Sequence, residues 1–335
     1  MKFLLALFLS LAPFALGGRH SAQTSPSAES SYGANGQQTL RLFQPTAASP
    51  QQERGAWILW WFNSGYAKND QLDAIGPGNE PLATLLAAGY SVVTATVTYP
   101  GQPGVAGGGR FLPPEHPSFA LGDRVERDAI AGTQRALELA PSWGLDPTLW
   151  ISAGRSGGAH PALWATYRTW AALAQKPRGV LVIGAHTWWP AWRQDLTTLP
   201  VQHFYHFNDT SLTGLLKAGK LSQTLLEHQI ASSFLHYAEP IAVPCLWYSQ
   251  ETTTEVSAID RLPSNAISTA HSPWFSFAGY ARLRRAAPHP LHRLLLDPAV
   301  APIAQAQGLP AHGVAADAMP AAVRTWVREV LFAAP

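Results

Sequence analysis

The sequence predicts one α/β domain, built on a mostly parallel sheet with helices on both faces. From about residue 38 to the C-terminus, apolar strand-like segments alternate with helical segments, a pattern that favours parallel strands joined by right-handed crossovers. Several of these strands are apolar without alternation, as expected when both faces are covered. With 335 residues and 47% hydrophobic content, the chain can bury a sizeable core.

Seven strands and six helices are predicted from apolar periodicity, with Gly and Pro marking most boundaries. The predicted strands are 38–44, 56–62, 90–99, 148–153, 179–184, 244–249 and 291–296. The predicted helices are 80–88, 124–140, 159–174, 212–237, 273–286 and 321–332. The longest break in the alternation, 186–243, predicts a lid-like insertion. Its aromatic residues would either line an acyl or aryl pocket or pack an ordinary helical lid onto the sheet.

The first 17 residues have the pattern of a secretory signal peptide. Lys2 precedes an apolar run, and Ala15-Leu16-Gly17 forms a small-x-small cleavage site. A membrane anchor is the alternative, but the run is short for a span and Pro13 interrupts it. Residues 18–37 are rich in Ser, Gly, Ala and Gln, which predicts a flexible linker before a domain at 38–335. We therefore expect a secreted or periplasmic protein with no stable membrane anchor.

Composition excludes several classes of partner. Only 13% of residues are charged and the formal net charge is +2, which leaves little with which to neutralise nucleic-acid phosphates. The single cysteine, Cys245, precludes an internal disulfide and lies in an apolar strand, where it is expected to pack as a small hydrophobe. The histidine pairs His203/His206 and His289/His292 lack the context of a zinc site. No metal or cofactor is expected.

One short motif has the local context of a nucleophilic serine. Ser156 lies in Gly154-Arg155-Ser156-Gly157-Gly158, between the apolar run 149–151 and an Ala-rich helical segment. A tight strand-to-helix turn needs residues with almost no side chain around the serine, because strand and helix approach closely there. The G-x-S-x-G pattern alone is weak, and the flanking strand and helix strengthen it.

Attack by a serine on an acyl carbon also needs donors for the developing oxyanion. The N–H of Gly157 is one candidate, since the residue after the nucleophile begins a helix whose first N–H groups are unpaired. The N–H groups of Ser64 and Gly65 are candidates for the second donor, because they follow the predicted strand 56–62. Alternatively, Asn63-Ser64-Gly65 is an ordinary turn.

Four motifs in order resemble the esterase/lipase branch of the α/β-hydrolase superfamily, which includes hormone-sensitive-lipase-like and acetyl-xylan or feruloyl esterase-like members. The resemblance runs from about residue 56 to the C-terminus. Residues 114–117 are similar to its P-E-H-P, 144–147 to its G-I-D-P and 156–160 to its S-A-G-G-H, while 309–314 resembles its G-H-G loop. In place of the H-G-G-G of many relatives, this chain has Phe62-Asn63-Ser64-Gly65.

The resemblance implies an α/β-hydrolase fold and a triad in the chain order serine, acid, histidine. His312, the only histidine beyond His292, is then the expected base, in a turn-like loop before the final helix. The acid should follow the strand that ends near residue 249. Glu255 is our first choice, and Asp260 and Glu251 remain open, since the acid only has to orient the imidazole and stabilise its charged form.

These features predict a secreted serine hydrolase that cleaves small-molecule or polymer-linked carboxylic esters through an acyl-enzyme. Two alternatives remain open at this stage. A serine peptidase could share the fold and the triad, and a hydrolase-like binding protein could have lost activity, given the missing glycine run and the unassigned acid.

Overall fold

The computed structural model describes residues 25–34, 36, 38–45, 49–62, 80–97, 121–185, 234, 241–249 and 273–332. The predicted signal peptide 1–17 lies outside these ranges. So does the predicted helix 212–237, apart from Phe234, and so does the predicted insertion 186–243, apart from Phe234 and residues 241–243. None of the helices within the described ranges combines the length and apolarity that a bilayer span requires.

The described strands form one sheet in the order β1-β2-β4-β3-β5-β6-β7-β8-β9. The pairs β1–β2 and β2–β4 are antiparallel, and every other neighbouring pair is parallel. The strands are β1 Ala28–Ser31, β2 Thr39–Phe43, β3 Trp57–Phe62, β4 Ser91–Thr96, β5 Trp150–Arg155, β6 Gly179–Ile183, β7 Cys245–Ser249, β8 Arg293–Leu296 and β9 Ala311–Gly313. Strand β5 therefore lies at the centre, with four strands on either side.

The α-helices connect these strands and cover both faces of the sheet. They are α1 Pro50–Glu53, α2 Glu80–Ala87, α3 Leu121–Leu139, α4 Ala159–Leu163, α5 Pro273–Ala286, α6 Ala301–Ala306 and α7 Met319–Phe332. Helices α3, α4, α5 and α6 contribute to one apolar cluster, and α2 and α7 contribute to the other. This two-sided cover explains why the central strands are apolar without alternation.

Tryptophan fills much of the space next to the central strands. Trp57 of β3 and Trp150 of β5 are paired in register, and their rings stack at 5.5 Å. Both side chains are fully buried. Large aromatic side chains contribute much of the burial energy of a core. The strand that leads to the motif serine and its neighbour β3 are therefore held by an apolar contact as well as by their backbone ladder.

The seven predicted strands and four of the five predicted helices in the described ranges are present, most with shifted ends. The segment predicted as one helix over 159–174 is instead α4 followed by a π-helical turn Trp164–Arg168 and a 3-10 turn Trp170–Ala172. The composition of 18–37 predicts a linker, but β1 lies inside it and pairs with β2. Likewise, the predicted loop at His312 contains the short strand β9, which pairs with β8.

Candidate active site

Ser156 occupies a strained turn at the carboxyl end of the central strand. It follows β5 directly and begins a 3-10 turn, Ser156–Gly158, that leads into α4. Its φ is +53°, and no other non-glycine residue in the described ranges has a positive φ. A left-handed conformation costs a residue with a Cβ about 1–2 kcal/mol, and such strain clusters at functional sites. The backbone therefore has the form expected of a nucleophile elbow.

Gly154 allows the chain to make this turn. A Cβ built on Gly154 would lie 2.1 Å from the carbonyl oxygen of Gly158 and 2.9 Å from the backbone nitrogen of Ala159. Both partners are backbone atoms that cannot rotate away. The last residues of β5 and the first turn after Ser156 are thus in direct contact, and only glycine fits between them.

Gly157, the candidate oxyanion donor, lies immediately after Ser156. It is buried within the 3-10 turn that continues into α4. The first N–H groups of a helical segment have no acceptor within that segment, and they favour negative charge nearby. The position of Gly157 is compatible with its predicted role, which stays a prediction.

Residues 144–147, the G-L-D-P segment, form the turn before β5, and the hydrogen bonds of Asp146 stabilise that turn. Asp146 Oδ1 accepts hydrogen bonds from the backbone nitrogen of Thr148 at 2.7 Å and from its hydroxyl at 2.8 Å. The backbone of Asp146 also joins β3, since its N–H donates to the Gly55 carbonyl and its carbonyl accepts from Trp57 Nε1 at 2.9 Å. Asp146 thus fixes where β5 starts and, through the strand, where Ser156 is placed.

His160 lies one helical turn beyond Ser156 and is fully buried. Its ring lies 5.7 Å from that of Trp164. Burial lowers the pKa of His160 to about 3, because removing an imidazolium from water is unfavourable. A base of that strength holds almost no proton at neutral pH, so His160 is unsuited to shuttle the serine proton.

The buried His160 makes stability depend on pH. The unfolded chain binds a proton at His160 below about pH 6.5, whereas the folded chain does so only near pH 3. Stability contributed by the neutral imidazole is therefore present above pH 6.5 and is lost as the pH falls towards 3. Urea unfolding from pH 7 to 4 tests this for wild type and His160→Gln. As the pH falls, the free energy of unfolding of the wild type should decrease relative to that of the variant, by at most about 1.4 kcal/mol per pH unit. Parallel curves would contradict this account.

His312 lies in β9, the strand at one edge of the sheet. Three strands separate β5 from β9, and four inter-strand steps of about 4.8 Å place the two backbones roughly 19 Å apart. The His312 side chain is exposed and lines a surface cavity with His289. The structure does not place Ser156 and His312 in hydrogen-bond contact, and their pairing stays a prediction.

His292 is a structural residue with both ring nitrogens in use. Nδ1 accepts from the backbone nitrogen of Cys245 at 3.1 Å, so Nε2 carries the proton and donates to the Ala287 carbonyl at 2.8 Å. Burial is the main cause that lowers the pKa of His292, and the neutral ring links the start of β7 to the end of α5. Cys245 is fully buried, as the sequence predicts, and burial raises the pKa of its thiol.

Several predicted site residues lie outside the described residues: the three acid candidates Glu255, Asp260 and Glu251, and the oxyanion candidates Ser64 and Gly65. Their roles stay predictions. Within the described ranges, no group of His, Cys, Asp and Glu is arranged to hold a metal ion. Three features of this region were not predicted from the sequence: the close contacts of Gly154, the burial of His160 and the cavity beside His289. All three depend on how distant elements pack.

No protein-family model and no curated protein matches the sequence. Solved structures do match its fold. A bacterial heroin esterase is 15% identical, with a TM-score of 0.54 over 94% of this chain and 88% of its own. Carboxyl esterase 2 from the fungus Tuber melanosporum is 14% identical, with a TM-score of 0.55 over 93% and 89%. An esterase from Pseudomonas putida ECU1011 is 16% identical, with a TM-score of 0.51 over 94% and 86%.

Together with the strand order and the turn at Ser156, these matches define the chain as a protein of α/β-hydrolase fold. The fold class predicted from the sequence is confirmed. These three structures are esterases, and the sequence motifs resemble the esterase/lipase branch of that fold.

Proposed function

We propose that the protein is a serine hydrolase that cleaves carboxylic esters. The observation that carries the proposal is the φ of +53° at Ser156, which a serine adopts at the end of a central parallel strand at some energetic cost. A fold needs no strained serine there for stability, whereas a nucleophile must project from the sheet edge towards a substrate. The three esterases that match this fold agree with this chemistry.

In the proposed reaction, Ser156 Oγ attacks the acyl carbon while a histidine removes its proton. The N–H of Gly157, with those of Ser64 and Gly65, stabilises the oxyanion. Collapse of the tetrahedral intermediate breaks the ester C–O bond, and the histidine returns the proton to the departing alcohol. Water then attacks the acyl-enzyme by the same route and releases the carboxylate. We assign the histidine role to His312 and its orientation to Glu255, on the basis of chain order and motif resemblance.

Covalent labelling tests the nucleophile directly. Incubation with a fluorophosphonate should add one label per chain, and peptide mapping by mass spectrometry should locate that label on Ser156, because these reagents trap activated serines. Ser156→Ala should remain unlabelled. As a matched control, Ser142→Ala should still be labelled, since Ser142 is exposed and its hydroxyl donates to the Leu139 carbonyl. An unlabelled wild-type protein, or a label elsewhere, would refute the proposal.

The same purified protein distinguishes the two enzyme hypotheses. We expect turnover of p-nitrophenyl esters and none of the matching p-nitroanilide peptides. Turnover of peptides with equal efficiency would instead favour the peptidase.

A further inference from the structure

A cavity of about 400 Å³ opens at the β9 edge of the sheet, four strand positions from β5 and Ser156. It lies where α5, the segment before β8 and the start of β9 come together, and it is lined by residues from all three. Its volume falls within the range of roughly 300–1,000 Å³ typical of sites for small molecules. His312, to which we assign the role of the base, also lines this cavity, but the proposed ester hydrolysis places no substrate or cofactor in it.

The polar lining of this edge cavity is basic. Arg284 and Arg293 both line it, and no aspartate or glutamate is among its lining residues in the described ranges. Arg284 is exposed, and its bond to the Gly308 carbonyl is long, at 3.5 Å. Its guanidinium therefore has hydrogen-bond donors available for a ligand. Because only 13% of the residues of the chain are charged, two arginines at one cavity are a distinctive feature.

Arg293 is held in place at the cavity wall. Its Nη1 donates to the carbonyls of Pro290 at 2.6 Å and His292 at 3.0 Å. Its contact with Glu329 measures 3.8 Å between partly exposed side chains, and surface pairs of this kind contribute little. Backbone carbonyls thus position the guanidinium, and Glu329 neutralises its positive charge only weakly. The guanidinium can therefore also bind a dissolved anion.

His289 adds a hydrogen-bond donor to the lining of the cavity. Its Nδ1 accepts from the Leu291 backbone nitrogen at 3.1 Å, so the neutral ring carries its proton on Nε2. Burial first, and the charge of Arg293 second, lower the pKa of His289. The influence of Arg293 on that pKa agrees with a positive potential inside the cavity.

The rest of the wall combines apolar side chains with two further histidine rings, those of His292 and His312. Pro288, Pro290 and Pro310 line the cavity, and so does Tyr280. Proline rings are rigid and cannot donate a backbone hydrogen bond, so they offer a flat apolar surface rather than a place for a second polar group. An inorganic ion would leave this surface uncovered.

We propose that this cavity binds a small organic acid, with its carboxylate held by Arg284, Arg293 and His289 and its apolar body against the three prolines. Arginine matches a carboxylate with two parallel hydrogen bonds. The inference concerns binding alone and rests on the residues that line the cavity, so it does not depend on the catalytic role proposed for His312.

Isothermal titration of the full-length protein with benzoate tests the proposal. Benzoate carries a carboxylate on a flat apolar ring, and benzyl alcohol presents the same ring without the charge. We expect saturable binding of one benzoate per chain and none of benzyl alcohol. Arg284→Gln should weaken benzoate at least tenfold, because one of the two guanidinium partners is lost, and His289→Gln should weaken it in a second, independent variant.

Arg282→Gln is the matched control. Arg282 is exposed on the same helix and does not line the cavity, so this variant changes the net charge equally and should keep benzoate affinity within twofold. Absence of saturable benzoate binding would overturn the proposal. So would equal losses in Arg284→Gln and Arg282→Gln, or phosphate binding as tightly as benzoate, since these outcomes would show a general charge effect or an adventitious ion only.

Discussion

Replacement of Ser156 by alanine is expected to lower kcat for a p-nitrophenyl ester by about 10⁴-fold or more, since the nucleophile itself is lost. Stability should change little. Alanine also has a Cβ, so the strain at φ +53° is retained, and the loss of one hydroxyl hydrogen bond costs about 1 kcal/mol. Initial rates and urea unfolding of the two proteins measure both quantities. Unchanged turnover with an intact fold would reject the serine mechanism.

The same assay identifies the base. His312→Ala should lower kcat about 10²–10⁴-fold if His312 transfers the proton. The strand order makes this a demanding test, because three strands lie between β5 and β9, and a base must reach hydrogen-bond distance of Ser156 Oγ during the reaction. If His312→Ala retains full activity, the base is another histidine, with His271 and His289 next to be replaced.

The central strands and the elbow could be predicted from the sequence because their signals are local. Strand β5 is apolar, and Ser156 is flanked by small residues within a stretch of five. A turn of this shape tolerates almost no other residues on its inner side, as the contact of Gly154 with Gly158 shows. Local chemistry and backbone geometry therefore indicate the same residue.

The edge strands could not be predicted in the same way. Strand β1 has the sequence Ala-Glu-Ser-Ser with alternating exposure, and it pairs with β2 alone. Nearby, the Tyr32 hydroxyl donates to the Thr96 carbonyl, and Gln38 donates to the buried Asp128 at 2.8 Å. These contacts join the N-terminal segment to residues more than sixty positions away. Composition alone indicates flexibility there, because it contains no information on long-range pairing.

Chain order alone does not determine how far apart the members of the predicted triad lie in the sheet. Order along the chain specifies which strand each residue follows, but the separation of Ser156 and His312 depends on the extra strand β9 and on the helix α6 before it. Neither element has a strong periodic signal in the sequence, since β9 has only three residues and α6 only six. The turn at Ser156 could be predicted from the sequence, whereas the position of His312 relative to that turn required the fold.

Replacement of Gly154 by alanine is expected to destabilise the protein by about 3 kcal/mol, near the upper end for inserting a methyl group into a packed region. The new Cβ would lie 2.1 Å from the Gly158 carbonyl oxygen, so the strand and the turn must separate. Separation moves Ser156 relative to Gly157, and a displacement of about 1 Å can lower activity about 100-fold. Thermal unfolding and kcat/KM with a p-nitrophenyl ester measure the two effects.

Gly36→Ala is the matched control for this substitution. Among the described residues, a Cβ on Gly36 meets no atom within 4 Å, and its φ is outside the positive region. The same chemical change should therefore leave both the unfolding temperature and kcat/KM close to wild type. If Gly154→Ala were as stable and active as Gly36→Ala, the close approach of β5 and α4 would not hold in solution. A loss confined to Gly154→Ala would show that the glycine before the serine sets the geometry of the nucleophile, because the two variants differ only in what the added methyl group meets.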